Sequence, residues 1–244
     1  MDKTTSADGT PLAYDRVGDG PAVVCVGGAL NTRHTSARLA HALADRFTVY
    51  LYDRRGRGDS GDTGPYAVDR EIEDLAAIVA VAGGPARVYG MSSGAILALR
   101  AEAAGVPIAR LAGYEPPLPA LAPPAPERYP ERLAAALAEG RRDEALRLFM
   151  VEVVGLPAEP AAGAARIPDL LAIAHTLPYD DAVITGGPVP VSPRVPTLTL
   201  AGGASPAWMR EASRAVAGEH RVLPGQTHDV DPVVLAEALA DFFA

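Results

Sequence analysis

The sequence contains one cysteine, Cys25, set inside the apolar run AVVCV. Without a second thiol no intramolecular disulfide can form, and a reducing, cytoplasmic setting is the expectation. A lone cysteine in an apolar run packs as a small hydrophobe, so Cys25 reads as buried and inert. Long apolar runs are missing too: none approaches the ~18 residues of a membrane span, which points to a soluble chain. The opening stretch MDKTTSADGTPLAYDRVGDG is polar and turn-rich. It lacks the apolar centre of a secretory signal, so export is not expected. Positive charge is in deficit, with 22 Lys and Arg against 30 Asp and Glu for a formal net charge of −8. That balance argues against nucleic acid or an anionic membrane as the main partner. The one dense basic stretch, DRRGRGD, carries its own acids.

What is present is the material of a globular domain. The chain has 244 residues, 48% hydrophobic and 21% charged, enough for one domain with a modest insertion. Strand-like runs at 10–18, 21–28, 47–53, 86–89 and 108–114 alternate with helical patterns. Val68, Ile72, Leu75, Val79 and Ala82 mark one helix face, with acids in its first turns where the helix dipole favours them. Residues 95–104 read as a helix with almost no polar side, hence packed on both sides. The proline-dense stretch GYEPPLPALAPPAPERYP cannot continue a strand or helix and marks a boundary. Three helical patterns follow, near 131–139, 143–154 and 168–176. Asp143 reads as an N-cap, Gly155 as the stop after it and Pro168 as a first helical residue. A second proline-rich stretch, GGPVPVSPRVP, closes this block, and the alternation resumes with a strand at 197–201, a helix near 208–217, the short strand HRVLP and a last helix from Pro232 to Phe243. Repeated strand–helix units imply a parallel sheet covered on both faces.

The chemistry concentrates in a few stretches. Gly90-Met91-Ser92-Ser93-Gly94 fits G-x-S-x-G after a strand and before a helix, the context of a nucleophile elbow. Ser92 alone has glycines at both flanking positions, so it is the candidate nucleophile. Ser93 then offers its backbone N–H, at a helix N-terminus, to a developing oxyanion. In VVCVGGALNTR a strand ends in two glycines, and Ala29 is placed to give the second oxyanion N–H. A serine hydroxyl needs a base. Of the five histidines, His228 lies on a loop between the last short strand and the last helix, where active-site loops of parallel sheets converge. His34, His41, His175 and His220 read as structural or surface residues. No cluster of His, Asp and Glu has metal-ligand spacing, so neither metal nor cofactor is expected.

VCVGGAL, YDRRGRGDS, YGMSSGA, PTLTLAGG and GQTHDVDP, in this order, resemble the corresponding segments of the α/β-hydrolase fold superfamily across nearly the whole chain. The resemblance implies a mostly parallel central sheet of about eight strands with helices on both faces. It implies a core of residues 1–115 and 195–244, with a helical cap at 116–194 shaping substrate choice. It further implies an acyl-enzyme mechanism through Ser92, His228 and an acid. Asp53, Arg54 and Arg55 of YDRRGRGDS are assigned a loop-ordering role rather than a phosphate site.

The acid is where the sequence departs from the family pattern, which places Asp shortly after the strand resembling PTLTLAGG. Here that stretch reads GGASPAW, with Ser205 at the position. Glu115, at the end of the preceding strand, is the leading candidate, an arrangement that resembles the pancreatic-type lipases of this fold. Asp180, Asp181, Asp229 and Asp231 are rivals, although Asp231-Pro232 reads better as a helix start. Leu146, Phe149, Met150 and Val153 of the insertion read as core rather than pocket wall.

The expectation is a serine hydrolase of a small-molecule ester, thioester or lactone, a monomer or homodimer with a small molecule as its partner. Two alternatives stay open: a non-hydrolytic enzyme of the same fold (lyase, elimination or cyclisation), since fold does not decide reaction, and a ligand-binding or partner protein that has lost the chemistry.

Overall fold

A computed structural model of the chain describes residues 1–124 and 126–244; Ala125, within the first proline-dense stretch, lies outside them. Among the described residues the strands are β1 (Asp2–Thr5), β2 (Pro11–Val17), β3 (Ala22–Val26), β4 (Thr48–Tyr52), β5 (Ala86–Met91), β6 (Ile108–Tyr114), β7 (Thr197–Gly202) and β8 (Glu219–Leu223). They form one eight-stranded sheet in the order β1-β2-β4-β3-β5-β6-β7-β8. β1 and β2 pair antiparallel at one edge, and every pairing from β4 to β8 is parallel. The parallel strands therefore all end at the same edge of the sheet, where their loops gather.

The two-residue period of a strand divides its side chains between faces. In β3, Val24 and Val26 join a core with Leu75, Ile78 and Val79 of α2 (Val68–Val81) and Ile96 and Leu97 of α3 (Ser93–Ala103). Val23 and Cys25 face the other way, onto Leu39 and Leu43 of α1 (Ala37–Leu43) and Leu235, Leu239 and Phe243 of α10 (Pro232–Phe243). α9 (Ala207–Ala215) adds Ala212 to the first face. Cys25 is buried, and burial pushes its thiol up to about 12, so the inert reading holds. α3 is buried almost all round, as its lack of a polar side predicts.

Between β6 and β7 lie, among the described residues, five further α-helices: α4 (Tyr129–Ala138), α5 (Arg142–Leu148), α6 (Ala158–Ala164), α7 (Pro168–Ile173) and α8 (Leu177–Thr185). Leu133, Ala136, Leu146 and Ile173 make a third buried cluster there, and Leu30, from the loop after β3, belongs to it. The insertion thus rests on the edge of the sheet where the strand-end loops emerge. No helix among the described residues is long and apolar enough to cross a membrane.

Several expectations need correction. The N-terminal stretch read as turns begins with the edge strand β1, held by backbone pairing to β2 rather than by apolar side chains. Asp143 is not the N-cap of α5; that position is Arg141, and Asp143 instead places its charge in the first turn, where the helix dipole favours it. The helix expected over 143–154 gives way at Phe149–Val153 to a π turn, with Val154 N–H bonding to the Phe149 carbonyl five residues back. The wider turn rotates Val153 off the buried face, leaving it 49% exposed, while Leu146 stays in the core with Phe149 and Met150 packed against it. α6 and α8 lack a clean apolar period, α8 because it buries Asp180 as well as Leu177 and Val183. Pro168 does open α7, and Asp231 caps α10 through Val233 N–H (2.8 Å) with Pro232 following.

Glycine at 94 is required by close packing. A β-carbon there would collide with the carbonyl oxygens of Val26 and Gly27, whereas one at Gly163 in α6 would meet nothing within 4 Å. Gly94→Ala is therefore expected to destabilise the fold by about 1–3 kcal/mol. Gly163→Ala should be neutral or stabilising by up to about 1 kcal/mol. Denaturant midpoints of the two variants check the contrast.

Candidate functional site

Ser92 is the single residue between the last residue of β5 and the first of α3, and its backbone takes φ 53° and ψ −123°. A non-glycine residue at positive φ is strained and persists only where its surroundings force it. They do so here: a β-carbon on Gly90 would lie 2.5 Å from the Gly94 carbonyl and 2.6 Å from Ala95 Cα. A β-carbon on Gly28 would lie 3.1 Å from Ser92 Cβ, so the loop after β3 abuts the serine. Four non-glycine residues have positive φ among the described residues, and Leu30, Ser92 and Glu115 all sit at this strand-end edge; the fourth, Arg128, caps α4.

Glu115 follows β6 and is 1% exposed. Its Oε1 accepts the Gly202 N–H from the end of β7 at 2.8 Å, and its Oε2 lies 2.6 Å from His228 Nδ1. Burial alone would raise the Glu115 carboxyl. His228 foremost, then Ser205 and the Gly202 N–H, outweigh burial and hold it below its ordinary 4.5. The Ser205 hydroxyl is buried without a hydrogen bond of ordinary geometry, so it acts as a nearby dipole and not as a bonded partner. The loop carrying His228 is pinned from three sides. Tyr114 Oη donates to the Thr227 carbonyl (2.5 Å), Ala204 N–H donates to the Gln226 carbonyl (2.9 Å), and Asp231 N–H donates to Gln226 Oε1 (2.8 Å).

Ser92 N–H donates to the Tyr114 carbonyl at 2.9 Å, which sets the serine beside the residue preceding Glu115. The structure thus gathers Ser92, after β5, Glu115, after β6, and His228, on the loop after β8, with Glu115 on His228; Ser92 Oγ and the imidazole are not hydrogen-bonded to each other. Ser93 holds the first position of α3, whose N–H has no acceptor within the helix, and Ala29 adjoins Gly28. With Nδ1 engaged by the carboxylate, the imidazole is held in the tautomer whose Nε2 can accept a proton. Among the described residues no group of three or more His, Cys, Asp and Glu side chains converges as a metal site would.

The model of a family described as "Alpha/beta hydrolase family" matches residues 23–242. The chain belongs to the alpha/beta hydrolase family. The chain superposes on a solved alpha/beta hydrolase from Sphaerobacter thermophilus with a TM-score of 0.91 and 51% identity, covering 100% of both chains. It shares its fold with an enol-lactonase from Burkholderia xenovorans (TM-score 0.71, 20% identity, 99% of each chain). It is similar to the N-formylmaleamate deformylase of Pseudomonas putida, 35% identical over 133 residues, 52% of this chain and 48% of that protein. The match thus spans about half the length of that curated relative.

The remaining candidate residues are placed elsewhere. Asp180 is 2% exposed and faces Arg54, Arg57 and Ser93, while Asp229 is exposed and Asp231 is the cap of α10. His34 and His41 are exposed, His175 lies 3.4 Å from Asp62, and His220 Nδ1 is 3.4 Å from Thr199 Oγ1. The arginines after β4 are buried and paired, Arg54 with Glu71 and Asp180, and Arg55 with Asp74 and Asp8. Arg57, which the sequence did not single out, pairs with Asp180 and donates to the Gly28 carbonyl. Its signal was the demand that three arginines in one strand-end turn place on acids elsewhere in the chain.

Asp181, weighed as a rival acid, sits on α8 with its carboxyl pushed up to about 7 by burial and then by Asp180. The unfolded chain ionises this group near its ordinary 3.8, so folding loses stability as pH rises from about 4 to about 7 and does not regain it above. Asp181→Asn should accordingly raise Tm at pH 8 and leave it unchanged near pH 4, as thermal melts across that range will show.

Proposed function

We propose that the chain is a serine hydrolase that cleaves a small-molecule ester, thioester or lactone through an acyl-enzyme. The observation that carries this reading is the buried Glu115 carboxylate, 2.6 Å from His228 Nδ1. It supplies an acid from the end of β6 where Ser205 leaves the β7 position without one. Supporting it is the strained Ser92 at the strand-to-helix turn.

In this reading His228 Nε2 takes the proton from Ser92 Oγ as that oxygen bonds to the substrate carbonyl carbon. The carbonyl oxygen becomes an oxyanion facing the N–H groups of Ala29 and Ser93. Collapse breaks the bond to the leaving group, which takes the proton from His228, and leaves the acyl group on Ser92. Water, deprotonated by His228, then attacks the acyl carbon, and Ser92 departs with that proton. Glu115 stabilises the imidazolium in both halves and stays ionised. The helices α4–α8 cover the strand-end edge as a cap that shapes what enters. The names deformylase and enol-lactonase, borne by similar proteins, denote cleavage at acyl groups, the same reaction class.

A fluorophosphonate should label the wild-type protein and not Ser92→Ala, and simple aryl esters should be turned over by the first alone. Glu115→Gln should lower kcat by about 10²- to 10⁴-fold, because the amide cannot stabilise the imidazolium. Labelling of Ser92 with no ester, thioester or lactone turned over would point to a non-hydrolytic reaction and overturn the proposal.

A further inference from the structure

Asp180 stands apart among the buried acids because its two oxygens reach two different parts of the strand-end edge. Oδ1 accepts the Ser93 hydroxyl at 2.7 Å and Arg54 Nη1 at 2.8 Å, and Oδ2 accepts Arg57 Nη2 at 2.8 Å. Arg57 Nη1 in turn donates to the Gly28 carbonyl at 2.5 Å, and Arg54 Nη1 lies 3.2 Å from the Gly27 carbonyl. The peptide joining Gly28 to Ala29 is trans, so its C=O and N–H point in opposite directions. A guanidinium that fixes the Gly28 oxygen therefore also fixes the direction of the Ala29 N–H, away from Arg57. Asn31 N–H also reaches the Gly28 oxygen, at 3.3 Å, closing the turn, but a neutral bond of that length holds less firmly than the charged one.

The Ser93 side acts in the same way. Its hydroxyl is tied to Asp180 while its N–H is the free first donor of α3, so the carboxylate locks the residue whose backbone faces the elbow. Asp180 belongs to α8, in the insertion, and Arg57 to the turn after β4. One side chain of the insertion therefore reaches both backbone segments that flank Ser92. Burial opposes the ionisation of Asp180, yet Arg57, Arg54 and the Ser93 hydroxyl outweigh it and hold the carboxyl below its ordinary value.

We propose that Asp180 is a positioning residue for the oxyanion-binding N–H groups of Ala29 and Ser93, acting on the first through Arg57 and on the second through the Ser93 hydroxyl. This rests on the serine-hydrolase reading above and deepens it. It gives Arg57 and Asp180 a role that ion pairing alone does not require, because a buried pair is satisfied by any opposite charge, whereas here the far ends of both links land on the site.

The test uses Asp180→Asn, Arg57→Lys and Ser93→Ala, with kcat and KM for an activated aryl ester expressed per site titrated to completion with a fluorophosphonate. Asp180→Asn and Arg57→Lys are expected to lower kcat by about 10- to 100-fold, the scale of a displaced donor, with KM changed less than about threefold. Affinity for a trifluoromethyl ketone, whose serine adduct carries an oxyanion, should fall in step. Ser93→Ala removes the hydroxyl's bonds to Asp180 and from Arg54 without unpairing a charge, so it folds even where Asp180→Asn does not; its kcat should fall by about 3- to 10-fold. Variants with lowered Tm but wild-type kcat per titrated site and undiminished ketone affinity would show a merely structural role and overturn the proposal while leaving the serine reading intact. A wild type that is neither labelled nor active would overturn the serine reading instead. In that event crystal structures of Arg57→Lys and Asp180→Asn still decide the positioning: a rotated Gly28–Ala29 peptide supports it, and an unmoved one overturns it.

Discussion

Everything at the strand-end edge depends on one steric constraint, the meeting of the loop after β3 with the turn from β5 into α3. Carbonyl oxygens of Val26 and Gly27 occupy the space where Gly94 would carry a β-carbon, and Gly28 sits against Ser92 Cβ. With that space filled by backbone, the chain can pass from strand to helix only through a residue at positive φ, and Ser92 takes it. Such a conformation costs on the order of 1–3 kcal/mol. It is offset by α3, which buries Ile96, Leu97 and Leu99 against the sheet immediately afterwards. The strain and the core are parts of one element: a looser α3 would let the turn relax and withdraw the serine.

The second constraint is electrical. Arg54, Arg55 and Arg57 are all buried in one turn, and a buried charge without a partner is far costlier than a paired one. α2 answers with Glu71 and Asp74, but Arg57 has no acid within the core and takes Asp180 from the insertion. The insertion is thereby fastened to the sheet by charge as well as by the apolar cluster around Leu30. Apolar contacts tolerate sliding, whereas a carboxylate shared by two guanidinium groups and a hydroxyl does not, so Asp180 ties α8 to one place on the sheet.

How far the sequence could be read follows from the range of each signal. The strand-to-helix turn at Ser92, the cap at Asp231, the start of α7 at Pro168 and the two-sided burial of α3 are written in neighbouring residues, and the structure has them. The eight-stranded sheet followed from alternation with the family resemblance. α8 was hidden because one of its three buried residues is Asp180, which makes sense only with arginines more than a hundred positions away. Val153 was misjudged because a π turn changes the period on which the reading rested. The contact of Glu115 with His228 lay between these extremes: the residues were named from their strand ends, but their meeting depends on β6 and β7 being neighbours.

That neighbouring also bears on why position 205 carries no carboxylate. Adjacent strands lie ~4.8 Å apart, so a side chain one methylene longer than Asp can reach from the end of β6 to an imidazole served from the end of β7. In this chain β7 still takes part, since the Gly202 N–H anchors Glu115 Oε1. The small, buried Ser205 lies close enough to lower the Glu115 carboxyl. An ionised Asp in its place would set a second negative charge against the buried first one, and like charges so placed disfavour each other's ionisation. One of the two would take up a proton and lose its hold on the imidazolium. A carboxylate at 205 and one at 115 are therefore alternatives rather than reinforcements, and Glu115 with Ser205 is a self-consistent pair in which each residue accounts for the other.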